Sequence, residues 1–103
     1  MAKIHTLKLK FVASESPDVV GYKLYIEEAP NPVGYGSKSF DLGNRTEVPL
    51  EELAGIQELD GVFNLGLAAV DDGGNEADLQ VLENVSLDFF APAPVSDLQL
   101  VRD

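Results

Sequence analysis

The chain has 103 residues, no cysteine, a single histidine and a formal net charge of −11. That length makes one domain, able to bury roughly two-thirds of its unfolded surface on one core without staples. The composition excludes disulfides, thiol catalysis and thiolate metal sites. Residues 1–45 carry six Lys/Arg against five Asp/Glu, whereas residues 46–103 carry one Arg against thirteen. No basic stripe is available to neutralise phosphates, so neither nucleic acid nor an anionic membrane surface is expected as a partner. The acidic half either keeps the chain soluble by self-repulsion or attracts cations or a basic partner.

No segment approaches the ~18 apolar residues of a membrane span, so no membrane insertion is expected. Met1-Ala2-Lys3-Ile4-His5 has no apolar core of a signal peptide. The chain is therefore expected to be cytosolic or a piece of something longer.

His5 to Ala13 alternates, with Leu7, Leu9, Phe11 and Ala13 on one face and Lys8, Lys10 and Val12 on the other. This spacing predicts a half-buried strand, which Ser14-Glu15-Ser16-Pro17-Asp18 ends as a turn. Gly21 to Glu28 predicts a second strand, with Tyr22, Leu24 and Ile26 inward and Lys23, Tyr25 and Glu27 outward. Residues 29–37 read as loop, rich in proline and glycine. Lys38 to Leu42 predicts a short strand, and Thr46, Val48 and Leu50 another, which Pro49 places at an edge or a strand end.

Leu53, Ile56 and Leu59 recur at spacing three among Glu51, Glu52, Glu58 and Asp60. They predict a short 3₁₀ or α turn tucked over one end of the core, weakened as a helix by Gly55. Gly61 to Val70 is the clearest strand, with Phe63, Leu65, Leu67 and Ala69 on one face. Asp71-Asp72-Gly73-Gly74-Asn75-Glu76 closes it as a turn, with Gly73 and Gly74 expected at positive φ. Leu79 to Phe90 predicts the next strand, with Val85, Leu87 and Phe89 on one face. After Ala91-Pro92-Ala93-Pro94, the run Val95 to Val101 resumes a strand-like pattern. Six or seven short strands, with turns every ~8–12 residues, argue for an all-β antiparallel sandwich.

The order of these elements resembles a fibronectin type III domain. Leu7 to Phe11 takes the place of its B strand, with Phe11 standing for the usual core tryptophan. Val19-Val20-Gly21-Tyr22-Lys23-Leu24-Tyr25 resembles the entry into strand C, and Asp41 to Thr46 the C′–E connection. Val48 to Leu53 resembles strand E and the leucine before the corner, and Phe63 to Asp71 strand F. Gly74-Asn75-Glu76 resembles a turn common in bacterial members. The resemblance implies an immunoglobulin-like sandwich of about seven strands over residues 1–91, and a Pro-rich linker and strand-like tail over residues 92–103.

Three departures carry consequences. The corner tyrosine is Phe63, which forfeits a hydrogen bond worth about 1 kcal/mol. The preceding loop is longer than usual, and Ile56 and Leu59 are expected to compensate by packing. No A strand precedes strand B; instead the segment after strand G, with Val95, Leu98 and Leu100, looks like one. Strand B would then present an open edge. Either Ala2 to Ile4 covers that edge, or the tail of another copy fills it by head-to-tail strand exchange.

Catalytic chemistry finds little support. The single histidine, His5, sits among alternating strand residues, with no triad, Walker loop or dinucleotide fingerprint around it. Carboxylate pairs are inevitable in so acidic a chain and carry no information without a cleft. No metal site, no cofactor and no enzymatic activity are expected. Asp71, Asp72, Asn75 and Glu76 offer oxygens to a calcium ion, which takes about six to eight, or else simply form a hairpin turn. Tyr35, between Gly34 and Gly36, is an exposed aromatic suited to a sugar or a partner, or merely part of a connection. Asn44-Arg45-Thr46 and Asn84-Val85-Ser86 match the N-glycosylation pattern, which has meaning only on a secretory route.

The resemblance implies a non-catalytic spacer or protein–protein interaction module of a larger polypeptide, at an extracellular or cell-surface location. The alternative is a calcium- or carbohydrate-binding accessory domain that uses the acidic loop.

Overall fold

Alternating side chains turn one face of each strand toward a shared interior. The computed structural model describes residues 7–88, 93–96 and 98–102. In chain order its strands are β1 (Lys8–Lys10), β2 (Val19–Glu28), β3 (Lys38–Gly43), β4 (Glu47–Pro49), β5 (Gly61–Asp71) and β6 (Gln80–Leu87). β1 pairs with β4, and the remaining four make a sheet in the order β3-β2-β5-β6. Every pairing is antiparallel. The chain is thus all-β, with two sheets, and among the described residues six strands rather than seven.

One apolar cluster draws on both sheets. β2 supplies Tyr22, Leu24 and Ile26, β3 supplies Phe40 and Leu42, β5 supplies Phe63 and Leu65, and β4 supplies Val48. Leu7, Leu9 and Phe11 pack against it from the β1 side. Each fully buried aliphatic or aromatic side chain stabilises the fold by ~1.5–3 kcal/mol before entropy is counted.

Between β4 and β5 the chain makes two 3₁₀ turns, Leu50–Glu52 and Ile56–Glu58. Leu50, Leu53 and Ile56 are buried and Leu59 packs on the cluster, so the corner tucks its apolar side against the core, as its leucines and isoleucine indicated. Gly55 enters the second turn at φ 86°, where a side chain would be strained.

β1 is shorter than the alternation suggests: Val12 and Ala13 are exposed, and His5 and Ala2 to Ile4 lie outside the described residues. β6 departs from a constant alternation. Leu65 pairs with Leu82 but Phe63 with Val85, so Glu83 and Asn84 together face Asn64 as a bulge. Asn84 takes a positive φ of 58° there. The extra residue moves the inward position from Leu82 to Val85, a switch that no periodic pattern encodes.

The strand polarities define two poles. Phe11, just after β1, packs edge-on against Tyr22 near the start of β2, ring centroids 4.8 Å apart. Tyr22 pairs with Gly43 and Ala69, so the β1–β2, β3–β4 and β5–β6 turns share that end. At the other end the Leu50 N–H donates to the Leu7 carbonyl at 2.9 Å, and Gly61 pairs with Leu87. β1 therefore begins, and β6 ends, at the pole of the 3₁₀ corner.

Candidate functional site

The outer face of the four-stranded sheet is not bare. The loop over residues 29–37 folds across it, held by the Ala29 N–H on the Val62 carbonyl at 3.0 Å. The Asn64 side-chain amide donates to the Asn31 carbonyl at 2.8 Å. Val33 lies over Gly66, where an added Cβ would come within 3.3 Å of its methyl group. The cover explains why Tyr25, on the outward side of β2, is only 2% exposed.

Tyr25 and Tyr35 meet edge-on with centroids 5.6 Å apart. The Tyr35 hydroxyl donates to the Ala77 carbonyl at 2.7 Å, and the Tyr25 hydroxyl donates to the Glu76 carboxylate. Burial, with the Glu76 carboxylate beside it, pushes the Tyr25 phenol from 10.0 up to about 12. Tyr35 is half-exposed but tied at ring and hydroxyl, so it is a fixed part of this face rather than a free loop aromatic.

Asp71 organises the acidic turn. Its Oδ1 accepts the N–H groups of Gly73 and Asn75 at 2.9 and 2.8 Å, and its Oδ2 accepts the Asn75 side-chain amide at 3.1 Å. Those donors, the Asn75 backbone and side chain foremost, hold the Asp71 carboxyl below its ordinary 3.8. Only Gly74 has a positive φ, 84°, while Gly73 and Asn75 do not, contrary to the expectation of paired left-handed glycines. Asp72 and Asn75 are exposed. The turn thus brings Asp71 and Asn75 together but commits Glu76 to Tyr25. Among the described residues no group of three or more His, Cys, Asp or Glu side chains is placed to hold a metal ion.

A different surface emerges between the sheets. On the flank between β1 and β6 an apolar groove of about 210 Å³ opens, lined by Leu9, Phe11, Leu67 and Leu82 and floored by Leu65. Leu82 is 59% exposed although its register points it inward. No strand covers this flank among the described residues. Beyond β6, Val95, Leu98, Leu100 and Val101 are largely exposed, Leu98 at 90% and Leu100 at 89%. The strand-like run that the sequence indicated over residues 95–101 has no pairing partner among the described residues.

Comparison with protein families, with curated proteins and with solved structures finds no match to this chain.

Sequence reasoning missed Tyr25, Asn64 and Leu82. The available signals were weak: an asparagine inside an apolar run, and a tyrosine on the face assigned to solvent. Neither reveals a loop folding back over the sheet.

Proposed function

We propose that this chain is a non-catalytic, fibronectin type III-like β-sandwich that serves as a spacer or protein–protein interaction module of a larger polypeptide. One observation carries the proposal. The strand order β1-β4 and β3-β2-β5-β6 around a common core is the pairing that the B–E and C′–C–F–G assignment calls for. The buried corner of Leu50, Leu53 and Ile56 supports the same assignment, since it plugs the end where the tyrosine is replaced by Phe63. The ordered polar groups of the outer face are spent on holding a loop, which suits a rigid element more than a reactive one. This functional part rests on architecture.

A spacer must keep its fold and its length between neighbours. The chain is to be fused between two unrelated stable domains that carry fluorophores. A narrow distance distribution, lost in one cooperative step with denaturant, is the expected result. A broad distribution like that of a flexible coil, already present without denaturant, would overturn the proposal.

A further inference from the structure

The open flank and the exposed tail fit each other. β1 uses one edge for β4: the Phe11 N–H donates to the Thr46 carbonyl at 3.0 Å, and the Leu7 carbonyl accepts from Leu50 at 2.9 Å. In an antiparallel pair the residues between, Lys8 and Lys10, turn their backbone N–H and C=O groups to the other side. That side has no partner strand among the described residues. It borders the apolar groove at Leu9, Phe11 and Leu82. A bare edge beside an uncovered strip of core is a template for one more strand.

The tail carries the matching pattern. Leu98 and Leu100 stand two residues apart, so both fall on one face of an extended strand. Both are almost fully exposed, so neither is packed on its own domain. Polarity decides which copy can supply a strand antiparallel to β1, the sense of the existing pairings. A strand antiparallel to β1 must enter at the pole of Phe11 and Tyr22 and run toward the 3₁₀ corner. The chain leaves β6 at the corner pole, where Leu87 pairs with Gly61. A domain's own tail therefore departs from the wrong end, whereas the tail of a copy stacked beneath arrives at the right one.

We propose that the segment 95–101 of one copy adds as a strand to β1 of the next, placing Leu98 and Leu100 in the groove between β1 and β6. The contact joins two different surfaces, so it is heterologous and propagates head to tail. It names the partner for the interaction-module reading and rests on that reading. The two have separate tests, because a chain can hold its length as a spacer and yet stay monomeric.

The test is the mass of the full chain by light scattering across a wide concentration range, together with amide hydrogen exchange. The expected mass rises from 11.1 kDa at low concentration through at least about twofold without stopping at a dimer. The amides of Lys8 and Lys10 slow by at least about tenfold over the same range. The double variant Leu98→Asp/Leu100→Asp changes only exposed side chains and is expected to stay at the monomer mass with both amides fast. Lys10→Pro is the second variant. It deletes a donor that faces the open edge, where proline is tolerated, and leaves the β4 ladder intact.

A full chain that is monomeric throughout, with both amides fast, would overturn the proposal. So would a monomer whose Lys8 and Lys10 amides are protected, since its own amino-terminal or carboxy-terminal segment then covers the edge. Assembly unchanged in both variants would overturn it as well, by pointing to a different surface.

Discussion

The side-chain oxygen of Asn64 accepts the backbone N–H of Asn84 at 3.0 Å. Asn84 is the residue that takes positive φ in the β6 bulge, and Asn64 is the β5 residue opposite it. The Asn64 amide nitrogen meanwhile holds the Asn31 carbonyl at 2.8 Å. One buried side chain thus holds both a bulge in the neighbouring strand and the loop that crosses the sheet.

Asn64→Ala takes away the partners of the Asn84 N–H and the Asn31 carbonyl, both in part-buried hydrogen bonds. The expected cost is about 1–3 kcal/mol, read from urea unfolding. The Asn84 amide is also expected to exchange faster than its neighbours in β6. Asn64→Leu, which fits the apolar run by composition, is expected to do no better than alanine.

Tyr25 gives the chain an alkaline limit. Its folded pKa, about 12, lies above the ordinary 10.0. A phenol protonated more tightly in the folded state adds stability that is complete below the ordinary value and is lost as pH rises toward the folded one. Stability is therefore expected to fall between about pH 10 and 12. Phenolate absorbance should show a late-titrating component from Tyr25. Tyr25→Phe removes that component and is expected to cost about 1–3 kcal/mol at neutral pH, because the Glu76 carboxylate loses its donor.

Asp71 sets an acid limit of opposite sign. Its folded pKa is depressed below 3.8, so the contribution is present above the unfolded value and disappears as pH falls through the folded one. Asp71→Ala is expected to flatten the acid limb of the stability curve and to speed exchange at Gly73 and Asn75. Because both carboxylate oxygens already accept hydrogen bonds within the turn, millimolar calcium is expected to leave the melting temperature unchanged.

Ile56 has no exposed surface and sits in the second 3₁₀ turn of the corner. Ile56→Ala is expected to cost about 2–5 kcal/mol by denaturant unfolding. Leu59→Ala, at the rim of the same cluster, is expected to cost less.

The inward faces were legible in the sequence because burial on one side imposes period two. Tyr22, Leu24 and Ile26 of β2, and Phe63 and Leu65 of β5, lie where their alternation places them. The apolar corner was legible too, from Leu53, Ile56 and Leu59 at spacing three. Two things were not. The bulge at Glu83 and Asn84 inserts one residue, and a one-residue insertion leaves no periodic trace beforehand while reversing the faces afterward. The burial of Tyr25 depends on residues 29–37 crossing the sheet. That is a tertiary event between a loop and a strand, with its contacts spread over Asn31, Val33 and Tyr35. The site followed the same division: the acidic turn announced itself by composition, whereas the open flank exists because, among the described residues, no strand lies between β1 and β6.

The two poles bear on how the domain carries load. The chain enters β1 and leaves β6 at the same end, beside the 3₁₀ corner. Tension applied between those two points would peel the short β1–β4 ladder, its hydrogen bonds giving way one after another like a zipper. A strand that enters at the far pole and lies along β1 would be pulled along its own axis, so its bonds would be sheared together. The same six strands would then change from a weak link to a strong one through the direction in which a neighbour's strand arrives.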